Sequence, residues 1–314
     1  MVVAFLLSGQ GAQKPGMGAA LIESGAPEVA ETFAAASEAF GFDVADVCLN
    51  ASVETLRDTA FAQPAMCTLS VAVAKALEAR GVCPAYVAGF SLGQIAALAV
   101  SGMVSERDAF RIAAFRAKVM AEAAAARPGS MCALLGGESE EASEVCSSAA
   151  QGDVLVCANY NAPGQIVISG DVAAVNRAAA LWKERPRHKA SMLATSGAFH
   201  SPLMQPAAEA LAEFLEEVEF HESRTPLVCN VDARPLSAAD ARAHLASQVV
   251  SPVLFEQSVH WLSEQGVDTF VECGFGGVLT KLVKRIEPAA ARFAPVSPEE
   301  IAQVASEVAC GGAE

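Results

Sequence analysis

Basic charge is in short supply. Lys and Arg number 21 against 36 Asp and Glu, which leaves a net charge of −15 over 314 residues. A chain so acidic repels the phosphates of nucleic acid and of anionic lipid, so neither is an expected partner. C-x-x-C pairs are missing, and so is any Cys/His cluster at zinc spacing. The nine cysteines, at 48, 67, 83, 132, 146, 157, 229, 273 and 310, are odd in number and dispersed through apolar runs. That excludes a disulfide framework, predicts no metal site, and fits buried free thiols in a reducing cytoplasm. A basic leader is absent too. MVVAFLLSGQ is apolar, but its run is too short for a membrane span and reads as a strand. Between Gly81 and Ser105 there is no charge at all, yet Pro84, Gly89, Ser91, Gly93, Gln94 and Gly102 divide that stretch into strand, turn and helix. Internal repeats and low-complexity linkers do not occur. What remains, with 53% hydrophobic and 18% charged residues, is the composition of a soluble protein with a full core.

Nucleotide fingerprints also fail. In GQGAQKPG, Lys14 stands where G-x-G-x-x-G needs its last glycine, and the Gly11 to Gly16 interval is followed by Met17 and Gly18 instead of Lys and Ser/Thr. After Cys273, Leu279 occupies the corresponding glycine position. The remaining role for Gly9 and Gly11 is close backbone approach, with amide N–H groups exposed beside a reacting centre.

The chain does alternate strands with helices. VVAFLLS and AYVAGF read as buried strands, PAMCTLSVAVAKALEARG and ERDAFRIAAFRAKVMAEAAAA as helices, and LVCNVDA, VDTFVEC and VLTKLVKRI continue the pattern, which predicts a parallel-sheet α/β core. From about Ser130 the order changes to β-α-β-β-α-β, the split βαβ arrangement. The expected fold class is therefore α/β: a large hydrolase-like core with a parallel sheet plus a small inserted ferredoxin-like domain. The chain leaves the core near Arg127 and returns near Ser196, so 1–127 and 197–314 form the discontinuous core and 128–196 the insert. A cleft between the two is the expected substrate site.

Three residues carry candidate chemistry. Gly89, Ser91 and Gly93 form G-x-S-x-G, which suits a sharp strand-to-helix turn that lifts a hydroxyl clear of the backbone; the same pattern also suits a merely small turn residue. Of five histidines, His188, His221, His244 and His260 sit in basic, polar or helical surroundings. His200 lies between Gly197 and Pro202 at a strand-to-helix turn, and pairs with Ser91 as a candidate base or stands as a structural loop residue. Arg116 lies on a mostly buried helical face, with Ile112 and Met120 one turn away on either side, so no acidic partner is available on its own helix. It is either half of a longer-range salt bridge or a fork for a substrate carboxylate. The order Ser before His, with more than 110 residues after His200, differs from that of an ordinary α/β-hydrolase.

GQGAQ, GFSLG, FRAKVM and GAFHSPLM together resemble the malonyl-CoA:acyl carrier protein transacylases of fatty-acid synthesis and the related acyltransferase domains of polyketide synthases. QPA from Gln63, NYNAPGQIVISG from Asn159 and GVDTFVECGFGGVLTKLVKRI extend the resemblance over essentially the whole chain. It implies Ser91 as the acyl-accepting nucleophile, His200 as general base, and Gln10 and Leu92 as oxyanion-hole amides. Arg116 would bind the malonyl carboxylate, and Gln248 would orient His200 through its main-chain carbonyl, with no need of its side chain. Phe199, Gln63 and Asn161 would line the substrate site, Phe199 narrowing the space for a methylmalonyl branch. Malonyl-CoA is the implied substrate, acyl carrier protein the implied partner, and no permanently bound cofactor is required. A cytoplasmic monomer is expected. The same Ser and His would also serve a thioesterase, with water as acceptor, and loss of any of the three residues would have marked an idle scaffold. Two departures stand out: Phe90 and Gln94 occupy positions where the family usually has His and Glu, which removes a polar contact from the Ser91 turn.

Overall fold

Ten strands organise the computed structural model, which describes residues 1–195 and 197–309: β1 (Val3–Leu7), β2 (Tyr86–Gly89), β3 (Ser130–Leu135), β4 (Leu155–Ala162), β5 (Gln165–Gly170), β6 (Lys189–Met192), β7 (Leu227–Val228), β8 (Val253–Leu254), β9 (Thr269–Cys273) and β10 (Ala291–Phe293). They form two sheets of five. The first has the order β10-β9-β1-β2-β7, with every neighbouring pair parallel. All five residues of β1 are buried, as an unbroken apolar run should be when helices cover both faces of a parallel sheet. Leu7 stands opposite both Gly89 and Cys273, so β1, β2 and β9 end at one level. The crevice outside the carboxyl ends of such strands is where open α/β sheets bind ligands.

The helix Thr59–Glu78 is started by the Asp58 side chain, which accepts from the Ala60 amide, and is buried around most of its circumference. It is the one helix among the described residues long and apolar enough to cross a membrane, and here the core absorbs it. The helix Glu106–Ala126, capped by Ser105, packs beside it and carries Arg116 on its buried face. Both match the sequence reading, as does the division of the uncharged stretch into β2, turn and the helix Leu92–Val100.

The second sheet runs β6-β3-β5-β4-β8. Its first four strands are antiparallel and, with the helices Ser139–Ala150 and Val172–Lys183 packed over Trp182, Ile168 and Leu134, they reproduce the expected β-α-β-β-α-β order. The fifth strand was not expected. β8 comes from the C-terminal part of the chain and adds parallel to β4, so this sheet draws on residues beyond 128–196. Two residues are too few to show a period in sequence. β10 and the helix Pro298–Ala309 also went unread. The strand expected at LVCNVDA shortens to Leu227–Val228 because the chain folds back at once: Ala233 N–H bonds Cys229 O, and Val228 bridges Pro235. The predicted return point at Ser196, and Cys310, lie outside the described residues.

Candidate active site

The Ser91 turn is built by two glycines that tolerate no side chain. A Cβ on Gly89 would come within 2.0 Å of Gly93 C, and one on Gly93 within 2.0 Å of Leu7 O. Their absence lets β2, β1 and the helix Leu92–Val100 close on one another and forces Ser91 to φ 52°, ψ −104°. His200 is held at φ 57°. A positive φ on a residue with a side chain costs about 1–3 kcal/mol and persists only where the surroundings over-determine it. Here they do. Asn230 Oδ1 accepts the Ser91 N–H at 2.8 Å and its Nδ2 donates to Gly89 O at 2.6 Å, while the His200 N–H bonds Val249 O at 3.0 Å.

The two side chains meet. Ser91 Oγ lies 2.7 Å from His200 Nε2, and His200 Nδ1 faces the main-chain carbonyls of Gln248 at 2.9 Å and Ser251 at 3.2 Å. Two carbonyl acceptors require the proton on Nδ1, which leaves Nε2 to accept from the serine hydroxyl. Among the described residues no carboxylate stands behind the imidazole. Burial, and secondarily the positive charge of Arg116, bring the His200 pKa down to about 4, so at neutral pH the ring is uncharged, with Nε2 free to accept a proton.

Arg116 is 1% exposed and lies across from this pair. Its Nη1 donates to Gln63 Oε1 at 2.9 Å, and its Nη2 to Ser91 Oγ at 3.0 Å and Gln248 Oε1 at 3.3 Å. Nε has no partner. Every polar side chain bonded to the guanidinium is neutral, and among the described residues no carboxylate pairs with it. Burial lowers its pKa to about 10, which still leaves it a cation at neutral pH. An unpaired buried cation with one free donor is a binding site for an anion, and the Nε/Nη2 edge suits both oxygens of a carboxylate. The salt-bridge alternative raised by the sequence is therefore not what the structure contains.

These groups open into one cavity of ≈ 310 Å³ between the two sheets. From the ends of the parallel strands it receives Gln10, Ser91 and Leu92; from the second sheet, Met131, Asn161 and Val167; from the chain between them, Phe199 and His200. The amides of Gln10 and Leu92 are free of hydrogen-bond partners among the described residues, so each retains a donor. Gln63 touches Arg116 directly and so acts as its support. Asn161 is 6% exposed, with Oδ1 unpartnered at the cavity wall. The structure thus brings together all nine singled-out residues.

Gln248 does more than its main chain was expected to do. Besides accepting from Arg116, its side chain donates through Nε2 to Ser91 O, Gln94 Oε1 and Asn230 Oδ1, at 3.1 to 3.2 Å. Gln94 in turn accepts the Asn230 N–H at 2.8 Å. The polar support that Phe90 cannot give is supplied by this buried amide network, while the Phe90 ring packs edge-on against Phe255. Sequence reasoning missed Asn230, Ser251 and Glu272. Glu272 carried a signal, a carboxylate inside an apolar strand. It is buried and accepts from Ser8 Oγ, Val278 N, Thr280 N and Thr280 Oγ1, which ties the strand leading into the Gly9–Gln10 loop to the helix Val278–Ile286. Burial pushes its pKa up against those donors. Asn230 and Ser251 gave no signal beyond polar residues in turns.

The chain matches the acyl transferase domain family over residues 4–303. It is 38% identical to the malonyl CoA-acyl carrier protein transacylase of Bacillus subtilis over 301 residues, 95% of each chain. A crystal structure of the malonyl-CoA:acyl carrier protein transacylase of Xanthomonas oryzae superposes with a TM-score of 0.93 at 41% identity, covering 98% of both chains. A malonyl-transacylase solved in complex with a type II polyketide acyl-carrier protein gives the same TM-score, 0.93, at 35% identity, over 98% of this chain and all of that one. Similarity of this breadth, over nearly the whole chain, means that the chain belongs to the acyl transferase family, among the malonyl CoA-acyl carrier protein transacylases.

Proposed function

We propose that the protein transfers a malonyl group from malonyl-CoA to the phosphopantetheine thiol of an acyl carrier protein, through a malonyl ester on Ser91. His200 Nε2 takes the Ser91 proton as Oγ attacks the thioester carbonyl. The oxyanion that forms is met by the amides of Gln10 and Leu92, donors typically worth about 2.7–4 kcal/mol each in a transition state. Collapse breaks the C–S bond, and His200 returns the proton to the departing CoA sulfur. In the second half His200 takes the proton of the carrier thiol as its sulfur attacks the ester carbonyl; the C–O bond to Ser91 breaks, and His200 returns the proton to Ser91 Oγ. Arg116 holds the malonyl carboxylate throughout, Asn161 hydrogen-bonds the substrate from the opposite wall, and Phe199 restricts branching at the α-carbon.

The observation that carries this reading is the placement of Arg116 Nη2 3.0 Å from Ser91 Oγ, with no carboxylate among the described residues to neutralise it. An acyl group short enough to ester-link to Ser91 and long enough to reach that guanidinium is a dicarboxylic half-thioester of malonyl size. Acetyl would leave the cation unpaired, a cost of roughly 3–5 kcal/mol. The carrier side rests on the helix Val278–Ile286. Val278, Leu279 and Leu282 line the cavity, and Lys281, Lys284 and Arg285 on the same helix are exposed, a local basic patch on an otherwise acidic protein. A second basic run, 183–189, is a weaker candidate, because its Arg185 is already engaged by Glu141 and Glu144.

We further assign residues 128–196 as a domain inserted into a core formed by 1–127 and 197–314, and the working state as a cytoplasmic monomer that acts apart from membranes; eight buried or exposed free thiols among the described residues support the compartment. The product, a malonyl thioester on a carrier, is the extender unit of fatty-acid biosynthesis. The deciding experiment compares malonyl-carrier formation with free malonate release from malonyl-CoA, with and without holo carrier. Transfer is expected to dominate whenever carrier is present; malonate release that ignores the carrier would make the protein a thioesterase.

A further inference from the structure

Behind the Ser91 turn, outside the cavity, Cys229, Asp232 and His244 bring one ligand atom each to within 4.8 Å of one another. Cys229 and Asp232 lie on the tight turn after β7, and His244 on the helix Ala241–Gln248. The histidine is oriented. Its Nδ1 faces Asp240 O at 3.0 Å, so the proton belongs there and the Nε2 lone pair points outward, 3.4 Å from Asp232 Oδ2. An imidazole lone pair and a carboxylate oxygen facing one another across a solvent-open gap are two donors that converge on one point. The separation itself is that of two adjacent ligands on one tetrahedral ion, given bonds of about 2.0–2.1 Å to each. An Nδ1–H fixed by a backbone carbonyl is also the usual way a metal-ligating imidazole is held.

A third donor completes the set: Cys229 Sγ lies beside them, with Gln94 Nε2 donating to it at 3.7 Å. Asp232 and His244 are part-exposed, so the position is open to solvent on the side away from the sulfur.

We propose that Cys229, Asp232 and His244 form a site for a single borderline-soft divalent cation of the zinc class, with solvent as the fourth ligand. Binding exchanges the Cys229 thiol proton for the metal, and the proton leaves to solvent. The ion joins the turn that carries Asn230 to the helix that carries Gln248, the two side chains that hold Ser91 from behind, and so staples the back of the reactive turn. Sequence spacing hid it because the three ligands follow no finger or ribbon pattern.

Full-length protein stripped with a chelator is titrated with Co²⁺ and then Zn²⁺, following absorption and thermal stability. One equivalent of Co²⁺ should produce a sulfur-to-cobalt charge-transfer band with tetrahedral visible bands, Zn²⁺ should displace it, and Zn²⁺ should raise Tm. Cys229→Ser should abolish the charge-transfer band, and the surface variant His244→Ala should weaken Co²⁺ binding at least about tenfold and remove the Tm rise. Cys83→Ser, at an exposed thiol elsewhere, should leave all of this intact. Absence of the band, its persistence at full affinity in His244→Ala, or its loss in Cys83→Ser would overturn the site.

Discussion

The two walls of the cleft differ in kind. The wall at the ends of the parallel strands holds Ser91, backed by Asn230, with His200 and the buried Arg116 beside it; it is polar, strained and charged. The wall from the antiparallel sheet offers Met131, Ala133, Val167 and the amide of Asn161, with no ionisable group. Rigid parallel strands ending at one level can hold a reacting centre to fractions of an ångström, while a separate sheet can vary the shape of the site without disturbing it. In the proposed reaction, bond making and the grip on the acyl carboxylate belong to the first wall, and the fit of the rest of the acyl group to the second.

If that division holds, changes on the first wall lower the rate and changes on the second alter binding. Arg116→Ala should act most strongly, lowering kcat/KM for malonyl-CoA by about 150- to 4,000-fold, the equivalent of roughly 3–5 kcal/mol for an unpaired buried charge. Acetyl-CoA, which has no carboxylate to strand, should lose far less, and parallel competition assays measure the ratio. Asn230→Ala leaves the Ser91 N–H without its acceptor and Gly89 O without its donor, a loss of about 1–3 kcal/mol. It should lower kcat some 5- to 150-fold in both half-reactions with KM little changed, as single-turnover kinetics would show. Asn161→Ala, on the opposite wall, should raise KM about fivefold at constant kcat, from roughly 1 kcal/mol for one hydrogen bond. A fall in kcat as large as that of Asn230→Ala would erase the distinction between the walls.

The smallest expected effect is in pH. Because the His200 pKa is depressed, its neutral form persists below the usual imidazole range, and the acylation rate should fall only as pH drops through about 4. Arg116 contributes to that depression, so removing its charge should move the acid limb upward, toward the ordinary histidine value. A wild-type limb near pH 6.5 would contradict the buried, dry setting of the base.

Much of this was legible in the sequence, for reasons that differ by residue. β1 and the helix Glu106–Ala126 announce themselves by apolar period and caps, and G-x-S-x-G marks a turn because no side chain fits at Gly89 against Gly93 or at Gly93 against Leu7 O. The β-α-β-β-α-β order was readable because each element is several residues long. β8, with two residues, was not, and neither was its addition to β4, since pairing between distant segments leaves no local trace. Within the site, residues that react were visible through motif and type, whereas those that hold them were not. Asn230 and Gln248 work through amide hydrogen bonds that span 139 and 157 positions of chain to reach Ser91, and nothing near them in sequence indicates it.

The most direct test of the account is covalent. Mixing the protein with radiolabelled malonyl-CoA in the absence of carrier, then quenching and digesting, should place one equivalent of label on the peptide that contains Ser91. The label should be discharged by holo carrier and be absent from Ser91→Ala. Label on another residue, or undiminished label in that variant, would contradict the account.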